Sequence, residues 1–389
     1  MNDQIIDRII TMNKIDIYNI QEKDKILIYN VMKYINNIYI NFKYIEDRIE
    51  LLKKNIDTLE KLKKIPQMKQ RSLEWYEARK NMITASDMAE ALNKGKFGTQ
   101  KNLIIKKVTN LVNVSDLNKN NNKKEYIAPL QWGIKYEDVA CNIYKLKNYV
   151  DVNEFGLLKH HNKDITYFGA SPDGISELGI MLEIKCPYKR KIDGNIPEQY
   201  YYQIQGQLDV CNLNECDYLE CKFVEYNSEI DFLNDRAHHE LTLENINSFT
   251  QDYREKGIII CYKNVDEDKM DYKYLYSNLK DTEEDMINWK KKQIKKFDID
   301  IDYEINYWKL DTYEVQRVKK DKIFIKEKLQ QVKKVWDKIL YYSNIDNIED
   351  YKKDILLSKK SKIIDFNQNK NNDFNNIGFI NTFSIKDDN

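Results

Sequence analysis

Three charged residues stand close together in the stretch 170–187, ASPDGISELGIMLEIKCP: Asp173, Glu183 and Lys185. The run from Met181 to Cys186 reads as a β-strand, in which successive side chains alternate between faces. Met181, Glu183 and Lys185 then share one face, and Leu182, Ile184 and Cys186 the other. Pro172-Asp173-Gly174 is turn sequence, so Asp173 stands at the end of the partner strand, beside the charged face. Two carboxylates that close repel unless a proton or a cation lies between them. Hard oxygen ligands of this kind suit Mg²⁺ or Mn²⁺. A neighbouring lysine can orient or deprotonate a water, or balance the charge of a phosphate. The plain alternative is an exposed strand face with a Glu–Lys pair worth roughly a few tenths of a kcal/mol.

Two further groups have matching chemistry. The segment 71–92, RSLEWYEARKNMITASDMAEAL, reads as two short helices. Ser72 is the N-cap of the first, and Thr84-Ala85-Ser86 opens the second. Arg79 offers a forked donor to phosphate, and Ser86 lies near a helix start, where free N–H groups favour anions. A surface arginine and a simple cap are the bland reading of the same residues. Trp75, on the first helix, suits packing better than base stacking. A later helix begins at Pro197, and its Gln199, Gln203 and Gln207 recur every four residues and share a face. That amide stripe suits a phosphate or a metal-bound water, or is simply hydrated.

The elements that must position these residues follow from periodicity. QWGIKYEDVACNIYKLKN (131–148) reads as a helix with Ile134, Val139, Ile143 and Leu146 on one side, and it carries Glu137 as a possible third carboxylate. Strands around VNEFGLLKH, TYFGASPDGI and GIMLEIKCPY follow, then the glutamine helix, then a strand at 217–226. The order predicts an α/β (α+β) core with a mixed sheet. Residues 1–65 show a helical stripe of Ile49, Leu52, Ile56, Leu59 and Leu62, ended by Pro66, as in a helical hairpin or coiled-coil-like arm. Residues 280–340 read as long charged helices, among them NWKKKQIKKF (288–297), which is either a phosphate contact or a solvated face. A polar loop is predicted at 113–125, and an Asn-rich flexible tail from about 366.

Together these residues resemble the YqaJ-type viral recombinase domain, in the phage lambda exonuclease family of PD-(D/E)XK nucleases. Asp173, Glu183 and Lys185 resemble the PD-(D/E)XK signature. LEWYEARKNMITASD (73–87) resembles the family's opening motif through Trp75, Arg79 and Ser86, WGIKYEDVA (132–140) its Gly-xxx-Glu element, and QYYYQIQGQLDV (199–210) its glutamine helix. The resemblance spans about 70–226. It implies a restriction-endonuclease-like core, a mixed sheet flanked by helices, with helical N- and C-terminal extensions. The implied divisions are a helical extension at 1–65, a nuclease domain at 66–265, a helical region at 266–365 and the tail at 366–389. Glu137, Asp173, Glu183 and the backbone carbonyl of Ile184 would ligate Mg²⁺, or Mn²⁺, beside Lys185 and Gln203. Arg79 and Ser86 would hold a 5′-phosphate, with Gln205 and Trp75 also facing DNA. The implied activity is a 5′-to-3′ exonuclease on double-stranded DNA ends, with a single-strand annealing protein and further copies of the chain as partners. An endonuclease and an inactive DNA-binding scaffold are the competing readings. The source it suggests is a large DNA virus or phage.

Composition leaves this open. Lys plus Arg and Asp plus Glu number 63 each in 389 residues, so only local patches can attract nucleic acid. No apolar stretch of about 20 residues predicts a transmembrane helix, and MNDQIIDRII lacks signal-peptide character, so an intracellular chain with reduced thiols is expected. Cys211, Cys216 and Cys221 are evenly spaced, but none of the six cysteines forms a CxxC pair, so they are read as packing rather than as zinc or iron–sulfur ligands. The pairs His160-His161 and His238-His239 are not read as chelates.

Overall fold

Strands from residue 83 to residue 319 build the sheets, and helices bury both faces of the larger one. The computed structural model describes residues 2–36, 40–112, 128–237, 249–263, 272–297 and 301–357. Three helices come first: α1 (Asn2–Met12), α2 (Glu22–Asn36) and α3 (Phe42–Lys63). Next are α4 (Leu73–Lys80), the short strand β1 (Ile83–Thr84), a 3-10 turn at Ala85–Asp87, α5 (Met88–Ala91), α6 (Gln100–Val112) and α7 (Ala128–Asn148). The strands β2 (Val152–Asn153), β3 (Leu158–Lys159), β4 (Phe168–Ala170), β5 (Gly174–Ser176) and β6 (Met181–Lys185) lead to α8 (Glu198–Val210). The chain continues through β7 (Glu215–Glu225), α9 (Glu229–Asn234), β8 (Lys256–Lys263), β9 (Tyr272–Tyr276), α10 (Glu283–Ile294), β10 (Tyr303–Lys319), α11 (Lys322–Ser343) and α12 (Ile348–Tyr351).

The main sheet has the order β2-β5-β6-β7-β10-β8-β9, and β6 runs parallel to β7 while its other pairings are antiparallel. A small sheet, β1-β4-β3, stands apart from it. On one side of the main sheet, Tyr136, Val139, Ala140, Ile143 and Tyr144 of α7 repeat at helical spacing and bury against Leu182, Ile184 and Leu219. On the other, Ile204 and Leu208 of α8 pack with Met181, Cys216 and residues of α11. The expected mixed α/β core is therefore present, and β6 lies between two helical layers.

Three expectations change. The segment after α4 is not helix to helix: Ile83 and Thr84 pair with Phe168 and Gly169 as a strand before the 3-10 turn. The segment 266–365, expected to be helical, contains β10, a strand of 17 residues that lies between β7 and β8. A bulge between Leu310 and Thr312 hides its alternation, because the extra residue moves the inward set from Trp308 and Leu310 to Tyr313 and Val315. The N-terminal segment, read as a helical hairpin or coiled-coil-like arm, is three helices packed on the core. Their own apolar cluster, with Ile6, Ile10, Ile45 and Leu52, takes in Leu178 and Ile180 from the β5–β6 turn. Gly179 in that turn has φ +70, and a Cβ there would meet the backbone of Asn55 at 2.4 Å, so only glycine lets the hairpin approach α3.

The loop predicted at 113–125, the tail from 366 and His238-His239 lie outside the described residues. Among the described residues no helix is long and apolar enough to cross a membrane. Lys290 of the Lys-rich segment is buried, donating to Glu229 at 2.6 Å and to the Tyr307 hydroxyl at 3.0 Å.

Candidate active site

The turn before β5 is tied down from three directions. The Ile184 N–H donates to Asp173 Oδ2 at 2.7 Å. Gln70 Nε2 donates to the Pro172 carbonyl at 3.1 Å, and Trp75 Nε1 donates to the Ser171 hydroxyl at 3.0 Å. Asp173 thus has little freedom to turn away from β6.

Glu183 and Lys185 do share a face of β6, but that face is dry rather than exposed. Glu183 is 0% exposed, covered by α8. Lys185 Nζ pairs with Glu183 Oε1, Gln203 Nε2 donates to the same oxygen at 2.6 Å, and Gln207 Nε2 donates to Oε2 at 2.7 Å. Both carboxylate oxygens are therefore held, as a buried charge requires. The Lys185 ammonium also lies 4.9 Å from the centre of the Tyr200 ring, a cation–π contact.

Charge is concentrated here. Burial, together with Glu183 and Glu137, pushes the Asp173 carboxyl well above the usual carboxylate range. Burial also raises Glu137, against the pull of Arg71 and Lys185. For Lys185 burial alone would favour the neutral amine, but Glu183 and Asp173 outweigh it and hold the ammonium protonated. Glu137 reaches this cluster from α7 and pairs with Arg71 at 3.0 Å.

Arg79 and Ser86 come together as expected. Arg79 Nη2 donates to Ser86 Oγ at 3.0 Å and to Thr84 Oγ1 at 3.1 Å. Its guanidinium lies 4.3 Å from the centre of the Trp75 ring. Among the described residues no carboxylate hydrogen-bonds to it; burial lowers its pKa, and Asp87 acts only at a distance. Asp87 is itself occupied, accepting from the Thr84 N–H at 3.1 Å and pairing with Lys107 at 3.2 Å. Trp75 thus joins two groups: its face lies against Arg79 and its edge holds the turn that carries Asp173.

Other expectations are corrected or extended. Gln205 does not face this cluster. It is fully buried, donates to the Lys319 carbonyl at 2.9 Å and accepts from the Asp321 N–H at 2.7 Å, so it fastens α8 to the end of β10. Gln207, Arg71, Gln70 and Thr84 were not among the candidate site residues. Gln207 carried a signal, the four-residue spacing from Gln203. Arg71, with φ +66, carried none. The cysteine trio is divided: Cys211 and Cys216 belong to the α8 side of the sheet and Cys221 to the α7 side, which agrees with the packing reading.

The donor set fits a hard divalent cation. Three carboxylates interact electrostatically, two with raised pKa, and Gln207 Oε1 is buried without a hydrogen-bond partner among the described residues. As the side chains stand, no group of three His, Cys, Asp or Glu among the described residues takes metal-binding geometry. Lys185, Gln203 and Gln207 occupy Glu183, and Arg71 occupies Glu137. Substituting Gln207→Leu removes one donor from a buried carboxylate, a loss of about 1–3 kcal/mol. Melting temperature should fall accordingly, and an unchanged melting temperature would show that Gln207 contributes nothing to holding Glu183.

The chain is similar to known proteins over the residues that form this cluster. Residues 74–214 match the family model of the YqaJ-like viral recombinase domain. "Uncharacterized protein R354" of Acanthamoeba polyphaga mimivirus is 31% identical over 317 residues, which is 73% of this chain and 55% of that protein. The chain thus spans about half the length of this curated relative. Two crystal structures are also similar: LHK-Exo, an alkaline exonuclease from Laribacter hongkongensis, and LHK-Exo in complex with dAMP. Each is 18% identical with a TM-score of 0.41, covering 75% of this chain and 100% of that one. The matched residues 74–214 take in Arg79 and Ser86, the carboxylate cluster and the glutamine helix, so this part of the chain is similar to the YqaJ-like viral recombinase domain.

Proposed function

We propose that the protein is a metal-dependent deoxyribonuclease that removes nucleotides from the 5′ end of double-stranded DNA. The observation that carries the reading is the Trp75 link. It couples a half-buried arginine, whose side-chain hydrogen-bond partners among the described residues are two hydroxyls, to the turn holding Asp173. A terminal phosphate satisfies Arg79 by charge-assisted hydrogen bonds, which positions the adjoining phosphodiester at the carboxylates.

Glu137, Asp173, Glu183 and the Ile184 carbonyl would hold Mg²⁺ or Mn²⁺, which supplies Lewis-acid polarisation of the phosphodiester and a water of lowered pKa. The protein's own residues do the rest. Gln203 and Gln207 fix both oxygens of Glu183, so that carboxylate cannot swing out. Lys185, held protonated, places a positive charge beside the phosphate and serves as an orienting or donating group rather than a base. Arg71 neutralises Glu137 until DNA and cation arrive. Burial under α8 lowers the local dielectric and strengthens each of these interactions.

The test is timed digestion, in Mg²⁺, of linear duplexes with and without a 5′-phosphate, beside closed circles. Preferred loss of 5′-phosphorylated linear DNA supports the reading; cutting of circles points to an endonuclease on the same core; no cleavage of any DNA points to a scaffold. In the same assay Arg79→Ala should slow the 5′-phosphorylated substrate by roughly ten- to a hundredfold, the worth of about 1.5–3 kcal/mol for hydrogen bonds to a charged group. The 5′-hydroxyl substrate should change little. Equal slowing of both would mean that Arg79 does not read the terminal phosphate.

A further inference from the structure

We propose that a second ligand site, for a phosphomonoester, lies on the face of α8 turned away from Glu183. Gln203 and Gln207 reach the active site, whereas Asp209, two residues and about 200° further round the helix, lines a separate cavity of about 340 Å³. That volume lies within the range of small-ligand sites, about 300–1,000 Å³. His160 and His161 close one side of it, Lys320 a second, and Lys322 and Lys326 of α11 a third.

The hydrogen bonds fix the state of both imidazoles. The Asn162 N–H donates to His160 Nδ1 at 3.0 Å, so His160 carries its proton on Nε2 and donates it to Asp209 Oδ2 at 2.9 Å. His161 Nδ1 lies 2.8 Å from the Asp209 carbonyl, which can only accept. His161 therefore carries its proton on Nδ1, and its Nε2 keeps a lone pair. The two rings stack at 4.6 Å, and burial together with His160 lowers the pKa of His161. Asp209 is used up, since Lys320 holds its other oxygen at 2.7 Å. Among the described residues no hydrogen bond or ion pair satisfies His161 Nε2 or the ammonium groups of Lys322 and Lys326, which stand one helical turn apart.

One proton acceptor and two cations in a cavity select the ligand's chemistry. A phosphodiester brings a single charge and no exchangeable proton. A phosphomonoester, with a second pKa of roughly 6, brings up to two charges for the lysines. It also has one proton to share with His161 Nε2, whichever of the two holds it. Inorganic phosphate and the terminal phosphate of a nucleotide have this chemistry in common.

The inference does not depend on DNA cleavage, and its test is direct binding to the ¹⁵N-labelled full chain, which has four histidines. Inorganic phosphate, a deoxynucleoside 5′-monophosphate and dimethyl phosphate are titrated while the His161 Nε2 resonance, identified with His161→Gln, is followed. The first two should shift it saturably and dimethyl phosphate should not. The exposed pair Lys322→Ala and Lys326→Ala should weaken binding at least about tenfold, as for a lost charge-assisted contact. Tighter binding of the nucleotide than of phosphate identifies a nucleotide as the natural source; equal binding identifies the free ion. No saturable shift, an equal response to dimethyl phosphate, or unchanged affinity in the double variant would overturn the proposal.

Discussion

Asp173→Asn should abolish DNA cleavage, lowering the rate by about a thousandfold or more, the scale on which loss of one charged group at a metal-assisted site acts. The variant should fold, because asparagine keeps an oxygen for the Ile184 N–H that Asp173 accepts at 2.7 Å. It should also melt higher than wild type when no divalent cation is present. The sign follows from the raised pKa. An acid that binds its proton more tightly when folded than when unfolded supports the fold best at low pH. That support is lost as pH rises, from the unfolded value up through the folded one. At neutral pH keeping Asp173 beside Glu183 and Glu137 therefore costs stability, either as a buried charge or as a proton taken up on folding, and the neutral amide relieves it. Adding Mg²⁺ should raise the melting temperature of wild type more than that of the variant. Thermal melts with and without Mg²⁺ beside a cleavage assay check all of this. Full activity in Asp173→Asn would remove the catalytic assignment, and a cation-free melting temperature below wild type would remove the electrostatic one.

Arg317→Ala should destabilise the protein by about 3–5 kcal/mol, the cost of breaking a buried ion pair from one side. Arg317 donates to Asp217 at 2.7 and 3.1 Å, to Asp7 at 3.0 Å and to Glu215 at 3.3 Å. Arg48 of α3 holds Asp7 at 2.8 and 2.6 Å and Glu215 at 2.5 Å. Tyr144 completes the cluster with a hydrogen bond of 2.7 Å to Asp217. Two arginines thus stand among three buried carboxylates, and burial cannot separate them cheaply. Removing Arg317 leaves Asp217 without its cation and Asp7 and Glu215 sharing Arg48. Denaturant unfolding reads the loss. Replacing both partners, Arg317→Met with Asp217→Leu, should recover part of it, because Asp217 is then no longer a buried charge without its cation. A single-variant loss below about 1 kcal/mol would show that water reaches the cluster.

The cluster marks where sequence reading ended. Asp7, Arg48, Glu215, Asp217 and Arg317 lie on α1, α3, β7 and β10, and no local pattern relates them. The stripe on α3 was legible, since Ile49, Leu52, Leu59 and Leu62 are all buried. What that stripe packed on was not, and the arm that was expected is a helical unit fastened to the sheet by charge. Likewise β10 was masked by its own bulge, and β8, with buried Ile258, Ile259 and Ile260, was absent from the predicted strands because an apolar run buried on both faces has no period to detect.

The site was more legible than the fold. Alternation along β6 is a local property of extended backbone, so it placed Glu183 and Lys185 on one face without any tertiary knowledge. Helical spacing likewise placed Gln203 and Gln207 on one face, and the cap at Ser72, which accepts from the Trp75 N–H at 3.3 Å, was readable from residue type. Only the tertiary structure decided whether that face of β6 met water or α8. It alone showed that Gln207 rather than Gln205 turns to Glu183, that Arg71 covers Glu137, and that Trp75 joins the arginine to the aspartate. Short-range order follows from backbone geometry within a few residues. The burial that raises the pKa of Asp173 and Glu137 depends on elements distant in sequence, and these meet only when the sheet closes between its helices.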